Sequence, residues 1–161
     1  MASSKFLKNT IKISLFIIAF LILVYIIFLL FLHKTNETLN PITDIYINNK
    51  LIKAEVVSSP MKQYLGLSGR ESLCPDCGML FSFSDVDERE FVMRNMNFPL
   101  DIVFINKNKI VNIAANLPPE GANTKNIYSS DGPADEVLEI NGGTAKQYGI
   151  NIGDTVNINN N

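Results

Sequence analysis

The chain contains 161 residues and carries a formal net charge of −2, from 14 lysine and arginine residues against 16 aspartate and glutamate residues. The charges are unevenly distributed: residues 1–40 hold four lysines and one glutamate (+3), which leaves 10 basic and 15 acidic residues (−5) for residues 41–161. Such an acidic segment lacks the basic surface that nucleic acids require, which argues against a nucleic-acid partner. Its roughly 120 residues suffice for one compact domain but not for two.

An apolar run without any charged side chain occupies residues 13–32 and is interrupted only by Ser14 and Tyr25. At about 1.5 Å per helical residue, a run of about 20 residues crosses the roughly 30 Å hydrocarbon core of a bilayer. The run therefore predicts a transmembrane anchor whose partner is the lipid bilayer. A cleaved signal peptide is the competing interpretation, but its apolar region is shorter and ends at small residues, which Phe31 and Leu32 are not.

The charges on either side of the apolar run predict its orientation. Three lysines precede the run, whereas Lys34 and Glu37 nearly cancel beyond it. The positive-inside tendency then keeps residues 1–12 in the cytoplasm and exports the remainder of the chain. The sequence thus predicts a single-pass membrane protein with an extracytoplasmic domain.

The exported part divides into three segments. Residues 33–41 are polar, show no hydrophobic period and end at Pro41, which predicts a linker. Residues 42–158 are expected to form the extracytoplasmic domain. Residues 159–161 are all asparagine and are interpreted as a tail.

The domain begins with a predicted β-hairpin. Ile45 and Ile47 alternate with a tyrosine, residues 48–50 are turn formers, and residues 51–57 return as a second strand. A short helix over residues 60–65 should follow, because a serine precedes a proline at its start and a glycine stands at its end.

Short runs of β-forming residues dominate the next part of the domain. They predict four strands: residues 79–83, 90–94, 100–105 and 109–115. A stretch rich in aspartate, residues 85–88, separates the first two as a predicted turn.

The last third of the domain is predicted to open with a long surface loop over residues 117–134, holding a strand near Ile127 and Tyr128. Three elements follow: a strand over residues 136–140, a helix over residues 142–148 closed by Gly149, and a strand over residues 155–158. The predicted fold is mainly β, a small antiparallel barrel or sandwich with two short helices, preceded by one transmembrane helix.

Five blocks of the domain resemble, in order and spacing, those of the family called domain of unknown function 192. They are residues 78–83, 91–96, 99–105, 137–143, and 149–150 with 153–154. The resemblance covers residues 54–158 and implies a compact, frequently exported β-rich domain without an established activity. Val92 and Met96 depart from the family pattern, which usually has an aromatic residue and a threonine at these positions, so any ligand contact there is expected to differ.

The candidate ligand-binding residues are polar side chains at strand ends: Arg94, Asn95, Asp101, Glu139 and Asn141. Arg94 closes one predicted strand and Asp101 opens the next, so their side chains are expected to meet as an ion pair if these strands are antiparallel neighbours. Alternatively, Asp101 pins its loop through backbone amides, since burial without a partner is costly. Asn141 is expected to cap the following helix, where free amides also suit an anion.

Glu139 is expected to lie on a half-polar surface or to line a shallow cleft, because Leu138 and Ile140 on either side of it point to the other face of the strand. If Asp101 and Glu139 converge, the pair can divide acid and base roles, as hydrolases that act on sugars require. A carboxylate-based hydrolase is therefore one alternative function.

Cys74 and Cys77 are separated by two residues, and outside the cytoplasm such thiols form a disulfide that stiffens the loop. A thiol-disulfide redox protein is the second alternative, but its cysteines stand at the start of a helix, whereas a strand is predicted here. No metal site is expected, since structural zinc takes four ligands and the chain has one histidine, His33.

These observations favour a binding or envelope-support module over an enzyme. No catalytic triad is available to the chain, because its sole histidine stands beside the predicted anchor, and no phosphate-binding glycine loop is present. The expected partners are an unknown small ligand or an envelope protein, with no cofactor.

Overall fold

The computed structural model describes residues 15–29 and 40–159, which belong to two separate units divided at residue 39. In the first unit, residues 15–29 form helix α1. Within the described parts of the chain, no helix combines the length and the apolar character that spanning a membrane requires. The ends of the predicted anchor, all of the predicted cytoplasmic segment and most of the predicted linker lie outside the described residues.

The second unit consists of seven strands and two short helices. In chain order they are β1 (Ile42–Ile47), β2 (Lys50–Val57), α2 (Pro60–Leu65), β3 (Cys77–Phe91), β4 (Leu100–Asn106), β5 (Lys109–Leu117), β6 (Tyr128–Asn141), α3 (Thr144–Tyr148) and β7 (Val156–Asn159). The predicted hairpin is confirmed, and Asn48 and Asn49 form its turn with φ angles of 50° and 61°, the left-handed conformation that two-residue hairpin turns require. Both predicted domain helices are confirmed as well.

All seven strands join one sheet in the order β5-β4-β6-β3-β2-β1-β7. The sheet curves into a half-barrel, and its two edge strands are linked by an isolated bridge between Lys109 and Thr155. The prediction of a wholly antiparallel sheet is wrong at one place, because β2 and β3 pair in parallel. A parallel pair needs a crossover connection, and residues 58–76, which include α2, provide it.

Strand β3 corrects the prediction of two strands separated by a turn. It runs without interruption to Phe91, and residues 92–94 lie beyond its end. The residues predicted as a turn begin in a β-bulge of this strand. Residues 83–86 of β3 lie opposite Asp135 alone on β6. Aspartate-rich stretches favour turns and bulges alike, so composition did not distinguish the two.

Strand β6 corrects the prediction of a loop over residues 117–134. The connection is shorter, residues 118–127, and β6 begins at Tyr128. Asp131 has a positive φ of 52°, and with Gly132 it belongs to a second irregularity of the β3–β6 pairing. The turn-like composition of this stretch therefore reflects a bulged strand.

Both faces of the sheet are covered by hydrophobic clusters. Side chains alternate between faces along a strand, so a central strand contributes to both clusters. Every β4 residue from Leu100 to Ile105 is buried for this reason. The first cluster includes Ile45, Leu80, Val103 and Ile140, and the second includes Met79, Phe81, Ile102 and Val137.

Asp101 is the fully buried acid of β4, and three backbone amides bind its carboxylate. Its Oδ1 accepts hydrogen bonds from the amides of Asn116 at 2.6 Å and Gly143 at 2.9 Å, and its Oδ2 accepts one from Ala145 at 2.7 Å. The predicted ion pair with Arg94 is absent among the described residues. The alternative, a loop pinned through backbone amides, is the arrangement observed.

We expect Asp101→Asn to lower the free energy of unfolding by about 2–4 kcal/mol, because hydrogen bonds to a buried charged group are lost and the new amide group faces backbone donors. Urea unfolding measures this loss. Asp135→Asn is the matched control, since Asp135 also accepts hydrogen bonds from a backbone amide, that of Lys107 at 3.1 and 3.2 Å, but in a solvent-exposed setting. A control loss as large as that of Asp101→Asn would contradict the structural role assigned to Asp101.

Candidate functional site

A cleft of about 250 Å³ opens between α2 with the loop after it and the β3 face of the sheet. Its walls are largely aromatic, with Tyr64, Phe81, Phe83 and Phe91. The rings of Phe81 and Phe91 meet edge to face, with centroids 4.9 Å apart and planes at 89°. This geometry is favourable for aromatic pairs and gives the cleft a rigid apolar wall.

Glu139 is the buried acid of this cleft. It pairs with Met79 on β3 and Ile102 on β4, so it shares the face of the second hydrophobic cluster. The side chain is 5% exposed, and its Oε2 atom is buried without a hydrogen-bond partner among the described residues. Of the two alternatives predicted for Glu139, the half-polar surface is wrong, because residues 137–140 of β6 are buried, and the lining of a cleft is the arrangement observed.

Burial raises the pKa of the Glu139 carboxyl from 4.5 to about 8, because the charged form loses its hydration. The guanidinium of Arg70 opposes this effect by favouring the charged form. Arg70 is itself paired with Glu55 through two hydrogen bonds, one of them 2.7 Å long. At neutral pH Glu139 thus keeps its proton and is a hydrogen-bond donor.

Asp101 and Glu139 lie on opposite faces of the sheet. Asp101 pairs with Ile140 across the β4–β6 ladder, whereas Glu139 pairs with Ile102. Directly opposed residues share a face and sequence neighbours do not, so the two carboxyl groups point away from each other. The convergence that a paired-carboxylate hydrolase needs is absent.

Arg94 stands at the opening of the cleft. Its guanidinium stacks on the ring of Tyr64, 3.9 Å from the centroid, and donates a 2.6 Å hydrogen bond to the Tyr64 carbonyl. A hydrogen bond from Ser68 to the Arg94 carbonyl, 2.8 Å long, connects the same segments. Arg94 thereby holds the end of α2 against the segment that follows β3.

Asn95 and Asn141 lie apart from this cleft. Asn95 has a positive φ of 52° and lines a separate shallow depression with Glu120. The side chain of Asn141 donates hydrogen bonds to the carbonyls of Leu73 at 3.3 Å and Cys74 at 2.9 Å. It therefore fastens the loop before β3, whereas the predicted capping role belongs to Asp101.

Cys74 and Cys77 are joined by a disulfide, with Cα atoms 5.1 Å apart. The loop of residues 74–77 that the disulfide closes is also attached to α3, because the hydroxyl of Tyr148 donates a hydrogen bond to Asp76. Cys77 begins strand β3, so the helix start that a thiol-disulfide exchanger uses is missing. Among the described residues, no group of three or more His, Cys, Asp or Glu side chains is arranged to hold a metal ion.

Sequence reasoning identified two residues of the cleft, Arg94 and Glu139, but not its aromatic wall. Phenylalanines at alternate positions of β3 were the available signal, and nothing in the sequence placed Tyr64 of α2 beside them. Val92 and Met96, the two departures from the family pattern, both line the cleft. The part of the surface that differs from the usual pattern is therefore part of the candidate site.

Two solved structures share this fold. A protein from Sinorhizobium meliloti 1021, provisionally described as a transcription regulator, is 29% identical with a TM-score of 0.70, over 76% of this chain and 98% of its own. A protein of unknown function from Novosphingobium aromaticivorans DSM 12444 is 34% identical with a TM-score of 0.67, over 72% of this chain and 84% of its own.

No protein with curated annotation matches the chain. Residues 43–158 match the family predicted above, which is described as "Uncharacterized ACR". The match spans nearly the whole folded unit, from β1 to the end of β7. The chain therefore belongs to the domain of unknown function 192 family.

Proposed function

We propose that this protein is a binding module whose cleft takes a small, largely apolar molecule carrying a hydrogen-bond acceptor. The observation that carries the proposal is the buried carboxyl of Glu139, whose Oε2 has no partner among the described residues. An unsatisfied buried polar group costs about 1–3 kcal/mol, so its presence calls for an explanation. A ligand that supplies the missing partner recovers this free energy on binding.

The walls of the cleft support an apolar ligand. Phe81, Phe83 and Phe91 offer ring faces and edges to a flat or aliphatic body. A volume of about 250 Å³ suits one substituted ring rather than a polymer chain. Apolar side chains form the larger part of the lining, and polar groups such as Arg94 and Glu139 lie among them, as in other small-molecule sites.

Binding is favoured over catalysis because the cleft has one buried acid and no matching base. Asp101 lies on the other face of the sheet, and Glu90, which also lines the cleft, is exposed to solvent. A mechanism that divides acid and base roles holds both groups around one bond, and no hydrogen bond or ion pair among the described residues fixes the exposed Glu90 side chain for such a role.

We also propose that the module is attached to a membrane and faces away from the cytoplasm. The support is the uncharged run over residues 13–32 together with the three lysines before it. The domain then works at the outer side of the membrane, where an envelope component or a small envelope molecule is its partner.

We expect Glu139→Gln to raise the free energy of unfolding by an amount that grows between pH 4.5 and about 8, because the pKa of Glu139 rises from 4.5 to about 8 on folding. Over this range the unfolded chain loses the proton that the folded chain keeps, so wild-type stability falls with a slope on the order of 1.4 kcal/mol per pH unit. Urea unfolding at several pH values measures the difference between the two proteins.

The control for this experiment is Glu120→Gln. The backbone amide of Lys125 and the side chain of Asn126 hold the pKa of Glu120 below its usual range. Replacing Glu120 should therefore lower the free energy of unfolding, and this loss should appear as the pH rises above the folded-state pKa of Glu120. Equal pH profiles for wild type and Glu139→Gln would contradict a neutral, buried Glu139.

Acetophenone, a neutral aromatic ketone, tests the binding proposal. We expect it to shift NMR signals of cleft residues and to bind less tightly as the pH rises above about 8, approaching tenfold per pH unit, because only the protonated carboxyl donates to the ketone. Glu139→Gln keeps a donor and should bind without this pH dependence, whereas Glu139→Leu should lose about tenfold in affinity.

Glu136→Gln is the matched control on the same strand. Burial also raises the pKa of Glu136, but this residue does not line the cleft. Its replacement should leave acetophenone binding unchanged. The binding proposal fails if acetophenone shifts no cleft signals, or if Glu139→Leu and Glu136→Gln behave alike.

The membrane proposal is tested by expressing the full chain in a bacterial host and treating spheroplasts with protease. We expect residues 42–158 to be digested while a cytoplasmic marker stays intact, because the lysines keep the N-terminal segment inside. Deletion of residues 13–32 should move the protein into the soluble fraction. Protection of the domain until detergent is added would show the reverse orientation.

A further inference from the structure

Arg94 differs from the other arginines of the chain in having no acidic partner among the described residues. The chain has three arginines, Arg70, Arg89 and Arg94. Arg70 is paired with Glu55 and Arg89 with Asp85, whereas no carboxylate of the described residues lies within 4.0 Å of the Arg94 guanidinium. The unpaired arginine is the one that lines the cleft.

The guanidinium of Arg94 is held in place by contacts that do not neutralise it. Stacking on Tyr64 fixes the plane of the group, and one hydrogen bond to the Tyr64 carbonyl uses a single N–H. A guanidinium has five N–H donors in a rigid fork, and this fork matches the two oxygens of a carboxylate. Arg94 is therefore ordered in advance for an anion.

The charged groups around the cleft leave this arginine as the dominant charge. Glu139 is protonated at neutral pH, and Arg70 is neutralised by Glu55. Glu90 also lines the cleft but is exposed and is not paired with Arg94 among the described residues. Its charge is screened by solvent, whereas that of Arg94 is partly shielded from water by Tyr64.

Resting on the proposed function, we infer that the ligand is an apolar carboxylic acid bound as its carboxylate. The carboxylate lies on the guanidinium of Arg94 at the opening of the cleft. The apolar body lies against Phe81, Phe83 and Phe91, and a second acceptor on that body receives the hydrogen bond from Glu139. This arrangement assigns a partner to the guanidinium of Arg94 and to the carboxyl of Glu139.

The test compares 3- and 4-acetylbenzoate with acetophenone, which has the same ring and ketone but no carboxylate. We expect one of the two acids to bind the wild-type protein at least about tenfold more tightly than acetophenone, because a charge-assisted bidentate hydrogen bond contributes about 1.5–3 kcal/mol. Raising the salt concentration should weaken binding of the acid and leave acetophenone unaffected. Isothermal titration calorimetry or NMR titration measures both affinities.

Substitutions assign the effect to Arg94. Arg94→Gln should abolish the preference for the acid over acetophenone, and Arg94→Lys should keep part of the preference, since lysine retains the charge without the fork. Lys53→Gln removes an equal charge at an exposed site that does not line the cleft and should change neither affinity. If Arg94→Gln unfolds the protein, the wild-type salt dependence and Arg94→Lys still decide the matter.

The outcomes separate this inference from the proposed function. If acetophenone binds and neither acid binds more tightly, the carboxylate inference is wrong and the binding module stands. If neither acetophenone nor an acid binds, both are wrong. Competition by inorganic phosphate as strong as that by the acids would indicate a bare anion site and would overturn the assignment of an apolar carboxylic acid.

Discussion

Strands β4 and β6 are interior strands of a sheet whose two faces are covered by hydrophobic clusters, so residues 100–105 of β4 and residues 137–140 of β6 are removed from water. An acidic residue in such a strand must be satisfied by the protein or keep its proton. The chain has one example of each solution. Asp101 is surrounded by three backbone amides that together fix the start of α3. Among the described residues, the Oε2 atom of Glu139 has no such donor, and Glu139 lines the cleft.

The two acids have different roles, although they lie on neighbouring strands: Asp101 stabilises the fold, whereas Glu139 belongs to the candidate site. Asp101 is fully buried and its carboxylate already accepts three backbone hydrogen bonds, so it is not accessible to a ligand. Glu139 destabilises the fold above pH 4.5, because its burial is not compensated. Buried ionisable groups that lower the stability of a protein in this way are characteristic of ligand-binding and catalytic sites.

Local patterns predicted the elements whose ends are marked by distinctive residues. The two asparagines of the β1–β2 turn, Pro60 at the start of α2 and Gly149 after α3 correspond to backbone conformations that few residues favour. Bulges were missed because the residues that form them, such as Asp131, also form turns. The parallel pairing of β2 with β3 depends on where the chain returns, and local sequence carries no information about that.

The candidate site, too, was predictable from local patterns only in part. Arg94 and Glu139 were recognisable individually as polar residues at strand ends, but the alternation of side chains alone did not give the β4–β6 register that places Asp101 and Glu139 on opposite faces. The aromatic wall combines residues of β3 with Tyr64, which the crossover brings over the sheet. Long-range packing of this kind is settled by the fold as a whole.

The crossover between β2 and β3 also bears on how the site can diversify. A parallel pair requires some segment to pass over the sheet, and in this protein that segment supplies Gln63, Tyr64 and Ser68 to one side of the cleft, while Phe81 and Glu139 of the sheet form the other. Replacements at exposed positions of this segment, such as Tyr64, do not involve the backbone hydrogen bonds between the strands. Substitutions on this side of the cleft can therefore change its ligand preference while the residues that the sheet contributes stay the same.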